Sequence, residues 1–294
     1  MSKRSRDRQL AKLAARRQAE RSAAARRRNL ITGLIAGGIA LVVVAVGLGV
    51  LLGDGTDTAA SPSARPSASP SGSPSAVPGM QTGTVTPTAA NETGEVACGA
   101  TKPTNADKPK PQFAGPPPMK IDEKATYTAT METSCGSIVI ELDAKRAPVT
   151  VNSFVFLAGK GYFDGQYFHR LDTSIDVIQG GDPSGTGSSG PGYSIPDELS
   201  GKLSYDPGTL AMANAGPNTG GSQFFLITGP AGHNLDGNPN YTIFGMVVEG
   251  LDVAKRIQTL PIQDPDAAAA GDLSGQRPRM AVYLEKVTIE KTGG

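Results

Sequence analysis

Cysteine and histidine are almost absent from this chain of 294 residues, which has two of each: Cys98, Cys135, His169 and His233. With two histidines and no C-x-x-C pair, no metal site is expected. A serine nucleophile elbow is missing as well. Ser222 sits in "GGSQF" rather than G-x-S-x-G, and neither histidine has a nearby acidic partner to complete a triad. There is no internal repeat. Net charge is also low, +1 overall, but it is unevenly spread. Residues 1–29 carry eleven Lys/Arg against Asp7 and Glu20, a net of +9, so the remainder sums to −8.

A basic tail can bind nucleic acid, lie on an anionic membrane or set topology, and the following segment selects among these. Leu30 to Leu52 is 23 residues without a charge, enough at about 1.5 Å per residue to cross a hydrocarbon core of about 30 Å. The run is longer than the ~7–15 apolar residues of a cleaved signal, and no small-x-small site follows it. Basic residues on one side, with Asp54 and Asp57 on the other, place the N-terminus in the cytoplasm. The expectation is a single-pass membrane protein with its C-terminal part outside the cell, and no nucleic-acid partner. Both cysteines fall in that outer part, where a disulfide can persist. Pairing would add about 3–4 kcal/mol in the chain-entropy picture; two free thiols are the alternative.

Large apolar residues are scarce between 53 and 119, where "SPSARPSASPSGSPSAVPG" and "KPTNADKPKPQFAGPPPMK" predict a disordered Pro/Ser-rich linker, with a short ordered strap near Cys98 if the disulfide forms. From 120 to 294 the texture changes. Alternation predicts strands at Tyr127–Glu132 and Ser137–Leu142, and further strands at Asp176–Gln179, Thr209–Ala213, Gln223–Thr228, Thr242–Val247 and Ala281–Glu290. Helices are expected after Pro148 and over "GLDVAKRIQTL". Short strands, glycine turns and two helices suggest a closed antiparallel barrel.

"GTGSSG", Gly185 to Gly190, matches a dinucleotide fingerprint literally. Pro191 and Pro196 forbid the helix that would face a pyrophosphate, so no cofactor is expected. What remains is "YFHRLDTSIDVIQGGD", "LAMANAGPNTGGSQFFLIT" and "NLDGNPNYTIFG": one arginine, Arg170, with amides and an apolar set. This group has no nucleophile and no acid–base pair. A fixed guanidinium beside an apolar pocket can instead donate to a neutral amide.

These segments, chiefly "FHR…QGGD" and "MANAGPNTGGSQFF", resemble the cyclophilin family of peptidyl-prolyl cis–trans isomerases over roughly Ala125 to Glu290. The tail, span and spacer resemble its membrane-anchored actinobacterial members. The resemblance implies an eight-stranded barrel capped by two helices. It implies Arg170 as the catalytic arginine, Gln179 as the residue orienting it, and Phe225 as the floor of a proline pocket. Ala213, Asn214 and Ala215 match the strip that pairs with substrate backbone, Gln223 the backbone-contacting amide, and Leu235 the pocket wall. Tyr241 falls where many members have a rim histidine, and Asn234 where some have a tryptophan that contacts cyclosporin. Asp176 stands in the place of a pocket phenylalanine and Val177 in that of a methionine, although Ile175 could fill the phenylalanine's place. The expected activity is isomerisation of X–Pro bonds in secreted or envelope clients by a monomer. The alternative is a catalytically weak proline-binding module or chaperone.

Overall fold

The structure, a computed structural model, describes residues 78–294. The basic tail, the span at 30–52 and the first part of the linker lie outside the described residues. Among those described, no helix is long and apolar enough to cross a membrane.

The elements run β1 (Gln81–Val85), β2 (Lys110–Phe113), β3 (Thr126–Thr133), β4 (Gly136–Leu142), α1 (Pro148–Gly159), β5 (Gln166–Tyr167), β6 (Arg170–Asp172), β7 (Val177–Gly180), β8 (Thr209–Met212), β9 (Phe224–Ile227), β10 (Ile243–Glu249), α2 (Leu251–Gln258), α3 (Pro265–Ala269) and β11 (Tyr283–Thr292). β3 to β11 form one curled antiparallel sheet of nine strands, in the order β5-β11-β3-β4-β10-β8-β9-β7-β6. Eight strands were expected. The ninth arises because the stretch Gln166–Asp172 supplies both edges, pairing with β11 at its start and with β7 at its end. At the changeover the Phe168 amide donates to Val282 (3.0 Å) and the His169 amide to Gln179 (3.0 Å).

Period-two alternation explains how this sheet holds a core on one face and a site on the other. In β3 the residues Tyr127, Ala129 and Met131 are buried, and in β4 Ile138, Ile140 and Leu142, all in the main core. The inner strands β7, β8 and β9 are buried on both faces. Phe224, Leu226, Leu210, Met212 and Ile178 join the main core. Their neighbours Phe225, Ile227, Ala211 and Val177 turn outward into a second, smaller cluster.

Pro148 opens α1, and Glu198 caps its first turn by accepting from the amides of Val149 (3.0 Å) and Thr150 (2.9 Å). Its inward face carries Phe154, which stacks on Phe163 at 4.9 Å and meets Phe224 and Phe244 at 5.8 and 5.5 Å. Burying a ring of this kind contributes about 1.5–3 kcal/mol. α3 is a third helix that the sequence reading did not expect, capped by the Asp264 carboxylate.

Residues 78–119 carry more structure than the spacer predicted for them, where only a short strap near Cys98 is expected. β1 and β2 pair with each other, Val96 bridges Ala281, and Cys98 is bonded to Cys135 in the β3–β4 turn, Cα to Cα 5.2 Å. Phe113 packs edge-on against Phe156 of α1 (4.9 Å), and its amide donates to Pro191 (2.8 Å). A low average hydropathy hides this strap because a few anchors dock it: one ring, one disulfide and a ladder of backbone hydrogen bonds.

Candidate active site

Register assembles the site. Arg170 on β6 pairs with Gln179 on β7, Gln179 with Phe225 on β9, and Phe225 with Ala211 on β8. The four form a single row across the outer face, which places a cation, an amide and an aromatic ring side by side. Around this row lies a groove of about 910 Å³. Its lining includes Arg170, Val177, Gln179, Ala213, Asn214, Ala215, Gln223, Phe225, Leu235 and Tyr241, so the structure brings together every residue the sequence suggested except Asp176, Asn234 and the two cysteines. Met212 lies beneath the strip in the core.

The apolar end is built from Phe225, Val177, Ile175, Leu235 and Tyr241. Tyr241 stands edge-on to Phe225 with centroids 5.2 Å apart. The fully buried Tyr205, absent from the sequence expectations, fixes it. Tyr205 Oη donates to the Tyr241 carbonyl (2.8 Å) and accepts from the Tyr241 amide (3.0 Å). Burial raises the Tyr205 pKa, so this hydroxyl stays a donor at neutral pH.

At the polar end, Arg170 Nη1 donates to Gln179 Oε1 (2.9 Å). Gln179 Nε2 donates to Gln223 Oε1 (3.0 Å), and Gln223 Nε2 donates to the Ser189 carbonyl (2.9 Å). With a cation at one end and a carbonyl at the other, both amides have one possible orientation. Asn214 donates to the Asn240 carbonyl (2.8 Å), which ties the strip to the loop before β10.

Asp176 does not line the groove, which corrects its assignment to substrate binding. Its backbone is left-handed (φ 49°), a conformation Asp tolerates at the end of a hairpin turn. That twist sends its carboxylate away from the groove, where Oδ2 accepts from the Ala231 amide (2.9 Å) and secures the 3₁₀ turn Pro230–Leu235. Ile175 takes the place at the pocket instead.

A different carboxylate meets Arg170. Asp172, nearly buried, receives Nη2 at 2.5 Å on Oδ2, while its Oδ1 accepts from Ser174 N (2.9 Å) and Oγ (2.6 Å). The signal was present in the sequence, because residues i and i+2 of a strand share a face.

The glycine-rich loop wraps a carboxylate rather than a phosphate. Asp182 accepts from the amides of Ser184 (2.7 Å), Gly187 (2.5 Å) and Ser189 (3.3 Å), so those donors are already engaged. His233 corrects the view that neither histidine has an acidic partner. Its Nδ1 lies 2.8 Å from Asp236 Oδ2, since i and i+3 eclipse in a 3₁₀ turn.

Residues 128–289, more than half of the chain, match the family described as cyclophilin type peptidyl-prolyl cis-trans isomerase/CLD. The chain belongs to this family. A probable peptidyl-prolyl cis-trans isomerase B of Mycobacterium leprae is 41% identical over 174 residues, which cover 53% of this chain and 57% of that relative. The chain thus spans little more than half of that relative's length. Peptidyl-prolyl cis-trans isomerase A of Mycobacterium tuberculosis is 39% identical over 181 residues, 56% of this chain and 93% of the relative. Peptidyl-prolyl cis-trans isomerase ppi1 of Schizosaccharomyces pombe is 46% identical over 140 residues, 46% of this chain and 88% of the relative.

Two residues of this cyclophilin's groove come from places sequence reasoning passed over. Gln112 belongs to the strap, outside the family match, and Leu273, 60% exposed, to the turn after α3. Neither sits in a recognisable motif, and only the three-dimensional course of the chain brings them to the groove.

Proposed function

We propose that this cyclophilin isomerises X–Pro bonds, with the proline ring on Phe225 and Arg170 donating to the prolyl nitrogen. Rotation about that bond is opposed by amide resonance, a barrier of roughly 18–20 kcal/mol. Twisting localises a lone pair on nitrogen, and a donor aimed at it binds the twisted state better than the planar one. No covalent bond is made or broken and no proton is transferred. The carrying observation is the position of Arg170 beside an apolar pocket, held by Gln179 (2.9 Å), with two of its five N–H donors still unengaged by protein. We place this activity outside the cell membrane, on secreted or envelope clients, with the strip Ala213–Ala215 reading client backbone. The Cys98–Cys135 bond supports an oxidising compartment.

A second reading, a proline-binding module with slow turnover, is favoured by the Asp172 carboxylate on Arg170. One assay separates the two. The full chain should accelerate cis–trans exchange in a short Ala-Pro peptide, and Arg170→Ala should lose at least about 100-fold of that. Peptide binding without acceleration in the wild type would leave the second reading standing.

A further inference from the structure

Arg170 is gripped from three elements at once. Gln179 of β7 takes Nη1, Asp172 of its own strand takes Nη2 (2.5 Å), and Gln276 takes Nε (2.6 Å). Gln276 ends the 3₁₀ turn Leu273–Gln276, far along the chain, and is 6% exposed. The turn is delivered to the site by a tight loop after α2. Gln263 N donates to the Arg277 carbonyl (2.8 Å), Asp264 N to Gly275 (3.1 Å) and Arg279 N to Pro261 (2.8 Å). Gly275 allows this close fold, because a Cβ there would stand 2.6 Å from the Asp264 carbonyl.

Three acceptors on three different nitrogens define both the plane and the rotation of a guanidinium. They leave one N–H on each terminal nitrogen for a ligand. A single glutamine would leave the group free to turn about that one bond. The arrangement is also poorly explained by stability alone. An ion pair on a part-exposed arginine contributes little, and burying the Asp172 carboxylate and the Gln276 amide carries a desolvation cost.

We propose that Asp172 and Gln276 are positioning residues of the isomerase site, locking the Arg170 guanidinium so that its remaining donors face the groove. This rests on the isomerase reading above. The test uses the full chain with Gln276→Ala, Gln276→Glu and Asp172→Ala. The readouts are kcat and KM on the Ala-Pro peptide, the thermal midpoint, and the Arg170 Nε–H resonance in ¹⁵N-arginine-labelled protein.

Loss of one charge-assisted hydrogen bond should lower kcat of Gln276→Ala by roughly tenfold, with KM within about twofold. The protected Nε–H signal should vanish in Gln276→Ala. Gln276→Glu, which keeps the acceptor, should restore both signal and rate. Asp172→Ala should lower kcat at least as far. The proposal is overturned if Gln276→Ala keeps either the wild-type kcat or the Nε–H signal. It is equally overturned if kcat falls only where the thermal midpoint falls and Gln276→Glu rescues nothing. If the wild type proves no faster than Arg170→Ala, the isomerase reading has failed, and the Nε–H signal alone decides whether the clamp exists.

Discussion

His169 sits directly before Arg170, buried, with neither ring nitrogen hydrogen-bonded. Desolvation is the main cause that lowers its pKa, from 6.5 to about 4. Asp182 pulls the other way, and Arg170 and Arg277 reinforce the drop. The fold therefore favours the neutral ring, while the unfolded chain takes up a proton below about 6.5. The resulting stability, about 3 kcal/mol, is present above the unfolded value and is lost as pH falls from 6.5 through about 4. Denaturant unfolding across that range should show a steeper loss for the wild type than for His169→Phe. Equal slopes would mean that His169 finds a partner or water. Arg170, Gln179 and Phe225 could all be picked out from short motifs. The orientation of Asp176 could not, because it depends on one left-handed residue and on an amide 55 positions away.

Among the elements, the strands were legible where burial imposes a pattern. Alternation marks β3 and β4, and the unbroken apolar run of β9 marks a strand covered on both faces. A short strap at Cys98 was legible from the cysteines, but its extent was not, since composition averaged over 53–119 cannot reveal which few residues dock. It is held at one end by Phe113 and Lys110, whose ammonium donates to the Asp164 carbonyl, and at the other by Cys98–Cys135. The disulfide closes a loop of 37 residues, and removing it with Cys98→Ser/Cys135→Ser should cost about 3–4 kcal/mol in urea unfolding. An unchanged midpoint would show that the backbone ladder to Glu95 and Ala281 holds the strap unaided.

For the whole molecule, the family match begins at 128, yet the structure described from 78 onward packs a strap against it. A chain trimmed to 120–294 lacks both the Phe113 ring and the disulfide. It should be about 1.5–3 kcal/mol less stable than one starting at 78, the worth of the lost ring, read from the two urea midpoints. Equal midpoints would reduce the strap to an ornament on the groove. The topology could be guessed from the segments, but the site could not be completed from them, because Gln276 and Gln112 approach from opposite ends of the sequence. The two edges of the sheet are successive pieces of one stretch, and β11 secures the first of them. A ribosome delivers β11 after every other strand of this sheet, so until it emerges Gln166–Tyr167 lacks its partner strand, and the stretch that leads into Arg170 is held from the β7 side alone. The chain carries 23 prolines of its own, and the X–Pro bonds that precede them exchange over tens of seconds when uncatalysed, slower than that last strand needs to dock.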